Sequence, residues 1–117
     1  MRRFMITFNH IDGEWPKLSP EQVEQHSIWL KQFMEALKRE KQSELVFLQP
    51  YPAAKTVRMH SDGKMDVSDG PYHSSDEQVG GYHIIEAESM EEAVEWARKG
   101  RFVRGSNEVR EIADFQP

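Results

Sequence analysis

Cysteine is missing from the sequence. Its absence excludes disulfides, thiolate catalysis and cysteine-ligated zinc, and it fits a reducing compartment. Long apolar runs are missing too; none approaches the roughly 20 residues that span a bilayer. The opening "MRRFMITFNH" has a basic pair but only a short mixed apolar run, which is not the pattern of a secretion signal. Positive charge is in deficit: 15 Lys and Arg stand against 20 Asp and Glu, for a net charge of −5. A general nucleic-acid or anionic-membrane binder needs a basic surface to attract phosphates, so neither kind of partner is expected. Internal repeats and low-complexity tracts are also lacking. A cytoplasmic protein is expected.

What is present suits one domain, residues 1–117. Hydrophobic residues make up 38% and charged residues 30%, a balance that reads as globular rather than disordered. Residues 3–9, "RFMITFN", put Phe4, Ile6 and Phe8 on one face and Met5 and Thr7 on the other, which is strand periodicity. A loop follows, with Asp12-Gly13 and Pro16 as breakers. Ser19, Pro20 and Gln22 then form a helix start: an N-cap, a first-turn proline and the far half of a capping box. At 100° per residue, Val23, Trp29, Leu30, Phe33, Met34 and Leu37 share one arc of residues 19–40, with the charged residues mostly elsewhere. Ile28 falls off that arc.

Residues 44–50, "ELVFLQP", read as a strand stopped by Pro50 and Pro52. Asp62-Gly63 marks a tight turn between two short strands, because glycine tolerates positive φ. "GGYHIIEA" is a further strand, and Gly80-Gly81 suggests a bulge or a close backbone approach. Ser89 and Glu92 form a second capping box, opening a helix with Met90, Ala93, Trp96 and Ala97 on one face and Gly100 at its end. "NEVREI" closes the set as a last strand. With the hairpin set aside, the order is βαββαβ, the ferredoxin-like pattern of an α+β fold. Two helices would cover one face of an antiparallel sheet. The other face carries apolar residues as well, so a homodimer packed through that open face is expected.

The motifs resemble a known family. "VSDGPY" followed by "EQVGGYHIIEAESMEEAVEWA", together with "HSIWL", "PYPAAKTVR" and "NEVREI" in that order, is similar to the YCII-related family, especially its DGPF branch. The resemblance covers most of the chain. It implies a dimeric α+β barrel, a fold shared with muconolactone isomerase and with small cofactor-independent oxygenases. It also implies a family mostly of unknown function, with some members beside extracytoplasmic-function sigma factors and a related dehydrochlorinase acting on a small ring compound. Two departures stand out: Tyr72 replaces the usual Phe, and "HSSD" at residues 73–76 replaces a small residue, an acid, a hydroxyl and a lysine. The altered loop at residues 72–77 is expected to be mobile or to bind a different ligand.

His26 is the most informative residue. It projects into the middle of the apolar arc, where a polar group must find a partner or lose solvation. One reading is a satisfied core histidine. The other is a general acid or base facing a pocket, and the resemblance implies this one, since family members carry His in the matching "HSIWL" segment and Asp at the position of Asp69. A carboxylate beside His26 would fix its tautomer and raise its pKa. Asp69 is thus expected both to open the Asp69-Gly70-Pro71 turn and to face His26, directly or across a ligand.

Trp29, Arg58, Tyr72 and Tyr82 are candidate ligand contacts, although Trp29 reads equally well as core and Arg58 as a solvated strand residue. Tyr82 and His83 must lie on opposite faces of their strand, one toward the helices and one toward the open face. His10, His60 and His73 lack the tight spacing of a metal site, so no metal is expected. No cofactor is expected either. Two functions follow. One is a small cofactor-independent enzyme that transfers a proton on a small carbonyl or ring compound through His26 and Asp69. The other is a non-catalytic dimeric module in which the same pocket binds or senses a ligand.

Overall fold

The computed structural model describes residues 1–11, 17–100 and 105–117. The loop expected around Asp12-Gly13 and Pro16 lies outside the described residues. In chain order the elements are β1 (Arg2–Ile11), α1 (Pro20–Lys41), β2 (Val46–Phe47), a 3-10 turn at Tyr51–Ala53, β3 (Lys55–Met59), β4 (Met65–Asp69), β5 (Glu77–Ala87), α2 (Met90–Lys99) and β6 (Gly105–Glu111). The main sheet has the order β2-β5-β1-β6, and β3-β4 form a separate two-stranded sheet. All pairings are antiparallel. Without the hairpin this is the βαββαβ, ferredoxin-like arrangement of an α+β fold.

The core forms where strand alternation meets the helix stripes. Phe4, Ile6 and Phe8 of β1 and Ile85 and Ala87 of β5 point to one side of the sheet. Phe33 and Leu37 of α1 and Ala93, Trp96 and Ala97 of α2 cover them. Each helix starts as its local chemistry dictates. The Ser19 hydroxyl accepts from the Gln22 N–H at 3.1 Å, while the Ser19 N–H donates to the Gln22 side-chain oxygen at 2.8 Å. Only half of the second capping box forms. Ser89 accepts from the Glu92 N–H at 3.2 Å, but the Glu92 carboxylate turns to the Glu88 N–H and to Lys41, each at 2.7 Å. Lys41 also donates to the Glu86 carbonyl, so one ammonium ties the end of α1 to α2 and to β5.

Two elements differ from the sequence reading. The strand expected over residues 44–50 pairs only at Val46–Phe47. Pro50 and Pro52 have no N–H to extend the ladder, and the chain turns at once into the 3-10 turn. By contrast, β5 begins at Glu77, ahead of the glycines. Its register with β1 jumps from Phe8↔Gly81 to Asn9↔Val79, which makes Gly80 the extra residue of a β-bulge. Gly81 is needed for close approach: a Cβ there would lie 2.6 Å from the Val46 carbonyl oxygen. The Asp62-Gly63 turn forms as expected, with φ of +86° at Gly63.

Candidate functional site

Among the described residues, the helix-facing side of the sheet holds one titratable side chain in its core. His83, opposite Ile6 in the ladder, has no solvent exposure. Its ring stacks on Phe8 at 5.4 Å between centroids and meets the edge of Phe33 at 5.9 Å. Neither ring nitrogen has a hydrogen-bond partner among the described residues. Burial lowers its pKa to about 4, so the imidazole is neutral near pH 7. Alternation along β5 called for one of Tyr82 and His83 to enter the core; only the packing shows that it is His83, and that Phe8 and Phe33 enclose it.

From His83 a run of rings continues along α1. Phe33 stacks on Trp29 at 5.6 Å with the planes 9° apart, and Trp29 meets His26 at 5.1 Å. The spacing of His26, Trp29 and Phe33 on one helix produces this ladder, since residues three and four apart lie on one face. His26 is half-buried, and burial lowers its pKa. The direction is opposite to the rise expected from a carboxylate neighbour. Both imidazoles are therefore held toward the neutral form, which offers one acceptor nitrogen and one N–H donor.

Asp69 ends β4 on the hairpin, where its carboxylate accepts from Lys55 and its side chain is 86% exposed. The turn after it is built as read: Gly70 has φ of +100°, its N–H donates to the Ala54 carbonyl, and its own carbonyl accepts from the Thr56 hydroxyl. Arg58 and Tyr72 lie on the same outlying part of the chain, joined by an Arg58 guanidinium bond to the Tyr72 carbonyl at 3.3 Å. Tyr82 lies on the open face of the sheet, beside Thr7 and Val46. The candidates thus fall into three groups: His26 with Trp29 on α1, Asp69 with Arg58 and Tyr72 on and beside the hairpin, and Tyr82 on the open face. A histidine–carboxylate pair that sequence reasoning missed joins His60 and Asp66 at 2.8 Å across the exposed hairpin. The altered loop is anchored at its end, where the Gln78 amide donates to the carbonyls of His73 and Ser75 at 3.0 Å.

Described residues line at least two hollows. A groove of about 600 Å³ runs beside α1, with Leu30, Met34 and Leu45 as its apolar floor and Lys31, Glu35 and Lys38 along its rim. A smaller hollow of about 290 Å³ lies on the open face between Met5, Thr7 and Arg110. Neither takes in His26 or Asp69. Among the described residues, no three His, Asp or Glu side chains gather as a metal-ligand set, and no helix is long and apolar enough to cross a membrane.

Comparison with known proteins bears directly on this fold and these motifs. The model of the YCII-related domain matches residues 4–116. The chain belongs to the YCII-related domain family. A curated relative is uncharacterised protein R00369 of Rhizobium meliloti (strain 1021), which is 34% identical over 111 residues, covering 92% of this chain and 86% of that protein. Its name records no activity, so membership of the family sets the fold and leaves the chemistry to the side chains.

Proposed function

We propose that this YCII-related protein is a small cofactor-independent enzyme that moves a proton on a small carbonyl or ring compound. His26 is its acid/base group, and Asp69 is the orienting or second acid/base group. The observation that carries this reading is the His26–Trp29 pair: a half-buried imidazole, whose pKa burial lowers, meets the Trp29 indole at 5.1 Å between ring centroids. A neutral imidazole accepts a proton at pH 7, and a flat aromatic wall suits a planar substrate. In this reading the protein works in the cytoplasm as a homodimer. Support for the dimer comes from the open face, where Met5, Val46, Leu48 and Ile84 are 37–47% exposed. Arg58, Tyr72 and Tyr82 remain the candidate ligand contacts.

The test is proton–deuterium exchange in D2O, followed by NMR, on a panel of small cyclic ketones and enol lactones. The expected result is catalysed exchange of a carbon-bound proton, slowed roughly 10²- to 10⁴-fold in His26→Asn. Exchange that is absent across the panel, or unaltered in that variant, overturns the reading. One observation favours a second reading, a non-catalytic ligand-binding or regulatory dimer: the Asp69 carboxylate is solvent-exposed and engaged by Lys55. Quenching of tryptophan fluorescence by a panel compound that undergoes no exchange would select it.

A further inference from the structure

His83 stands between the sheet and α1 with no solvent exposure, and neither ring nitrogen has a hydrogen-bond partner among the described residues. A polar group buried this way destabilises the state that holds it, and a charged one does so far more strongly. On β1 its neighbours are Ile6 across the ladder and the stacked ring of Phe8. On its own strand Gly81 and Ile85 share its face, and on α1 the edge of Phe33 meets it. The end of α2 closes the same space: a Cβ at Gly100 would lie 2.9 Å from Phe8 and 3.1 Å from Phe33. None of these groups could balance a positive charge. The titratable groups of the helices stand further along, with His26 beyond Trp29, Lys41 paired to Glu92, and Lys99 over the Trp96 ring.

The two helices are held to the sheet by different means. The small side chains of Ala93 and Ala97 pack α2 into the core, and α2 is bonded at both ends. Glu92 takes Lys41 at 2.7 Å, and the Asn107 amide of β6 donates to the Ala97 and Gly100 carbonyls at 2.8 Å. By contrast, α1 rests on the large side chains of Trp29, Phe33 and Leu37. Two of its polar ties to β5 lie at its C-terminal end: Lys41 donates to the Glu86 carbonyl at 2.9 Å, and just past the helix the Ser43 hydroxyl donates to the Ile84 carbonyl at 2.7 Å. The hydrogen bond from Lys41 holds the Glu92 carboxyl below its usual range, so that tie survives mild acid.

We infer that α1 is an acid-released flap: when His83 takes up a proton, the half of α1 that carries His26, Trp29 and Phe33 swings off the sheet about its tethered C-terminal end, while α2 and the four-stranded sheet stay in place. Release gives the imidazolium water and leaves the ties at Lys41, Ser43 and Asn107 intact. The direction follows from linkage. The buried imidazole has a pKa of about 4, and an opened one returns to about 6.5. The open state binds the proton first, so opening is favoured as the pH falls from 6.5 toward 4. The inference goes beyond the proton-transfer reading and does not rest on it, because that reading makes no use of His83.

The test is amide hydrogen exchange on the full chain at pH 7, 6 and 5, for wild type and His83→Leu. It is read by NMR as protection factors, which divide out the intrinsic pH dependence of exchange. In wild type, protection of residues 24–33 is expected to fall roughly 20-fold between pH 7 and pH 5, while that of residues 94–99 changes by less than about twofold. In His83→Leu most of the fall at residues 24–33 should vanish. Equal losses in both helices would make the event global unfolding. Protection of α1 that is constant with pH would mean no release, and a fall of undiminished size in His83→Leu would place the trigger at another group. Each of these outcomes overturns the inference. The two helices are compared within wild type, so a variant that fails to fold still leaves the inference open to refutation.

Discussion

The β1–β5 ladder and the β3–β4 hairpin are built from one local pattern and end in opposite surroundings. Both are antiparallel pairs with apolar residues at every second position. In the ladder Phe4, Ile6, Phe8 and Ile85 are at most 2% exposed, under two helices. In the hairpin the equivalent apolar residues are more than 60% exposed. Alternation thus specifies that a strand has an apolar face. It does not specify what covers that face, because the cover comes from elements distant in sequence or from another chain.

The sharpest way to break this contrast is to truncate one apolar side chain in each region to alanine. Phe4→Ala deletes a fully buried ring and is expected to lower unfolding stability by roughly 3–5 kcal/mol in urea denaturation. The same experiment with Val67→Ala, at a concentration where the chain is monomeric, should give about 0.5 kcal/mol or less. Comparable losses at both sites would mean that the hairpin is part of the single-chain core.

Acid probes the ladder through His83. Its folded pKa of about 4 lies below the unfolded value of about 6.5, so the unfolded chain binds the proton first. Stability is therefore full above pH 6.5 and falls as the pH drops toward 4, by on the order of 3 kcal/mol in total. Burial lowers the pKa of His26 as well, which adds a loss of the same sign. Denaturation midpoints at pH 7, 6 and 5 should converge in His83→Leu, apart from that His26 contribution. A wild type equally stable at pH 5 and pH 7 would show that His83 is not held in the core.

Gly81 tests how β2 joins the ladder. In Gly81→Ala the new methyl meets the Val46 carbonyl oxygen, and the expected cost is about 1–3 kcal/mol. Hydrogen exchange should show it as lost protection of the Leu48 amide, which bonds the Gly80 carbonyl at 2.9 Å. Protection unchanged at Leu48 would place the strain elsewhere. The smallest effect belongs to the hairpin. Asp69→Asn breaks an exposed ion pair with Lys55, and in the monomer it should change stability by less than about 1 kcal/mol. A larger loss would show that the Lys55–Asp69 pair is shielded from solvent.

Much of the fold was legible because its signals are local. Ser19 with Gln22, the alternation of Phe4, Ile6 and Phe8, the Asp62-Gly63 turn and Gly100 at the end of α2 each act within a few residues, and each appears where the sequence puts it. The candidate site was less legible. His26 could be placed on the apolar arc of α1, but the direction of its pKa depends on what packs against it, and burial lowers it. Asp69 could be placed in a turn, but its distance from the helices depends on where the hairpin leaves the sheet. The shortened β2 escaped local reading because its length is set by pairing with β5 and by the prolines that follow.

By itself the sequence determined the type and order of the elements, the caps that start the helices, and the glycines at the bulge and the turns. These follow from interactions over one to four residues, whose energies do not depend on the rest of the chain. Tertiary structure alone decided that His83 rather than Tyr82 enters the core, that Phe8 and Phe33 enclose it, and that the hairpin stands apart with its apolar face uncovered. Burial is a property of neighbours brought together across the whole chain, and desolvation, which lowers the pKa of both histidines, follows burial and not sequence position.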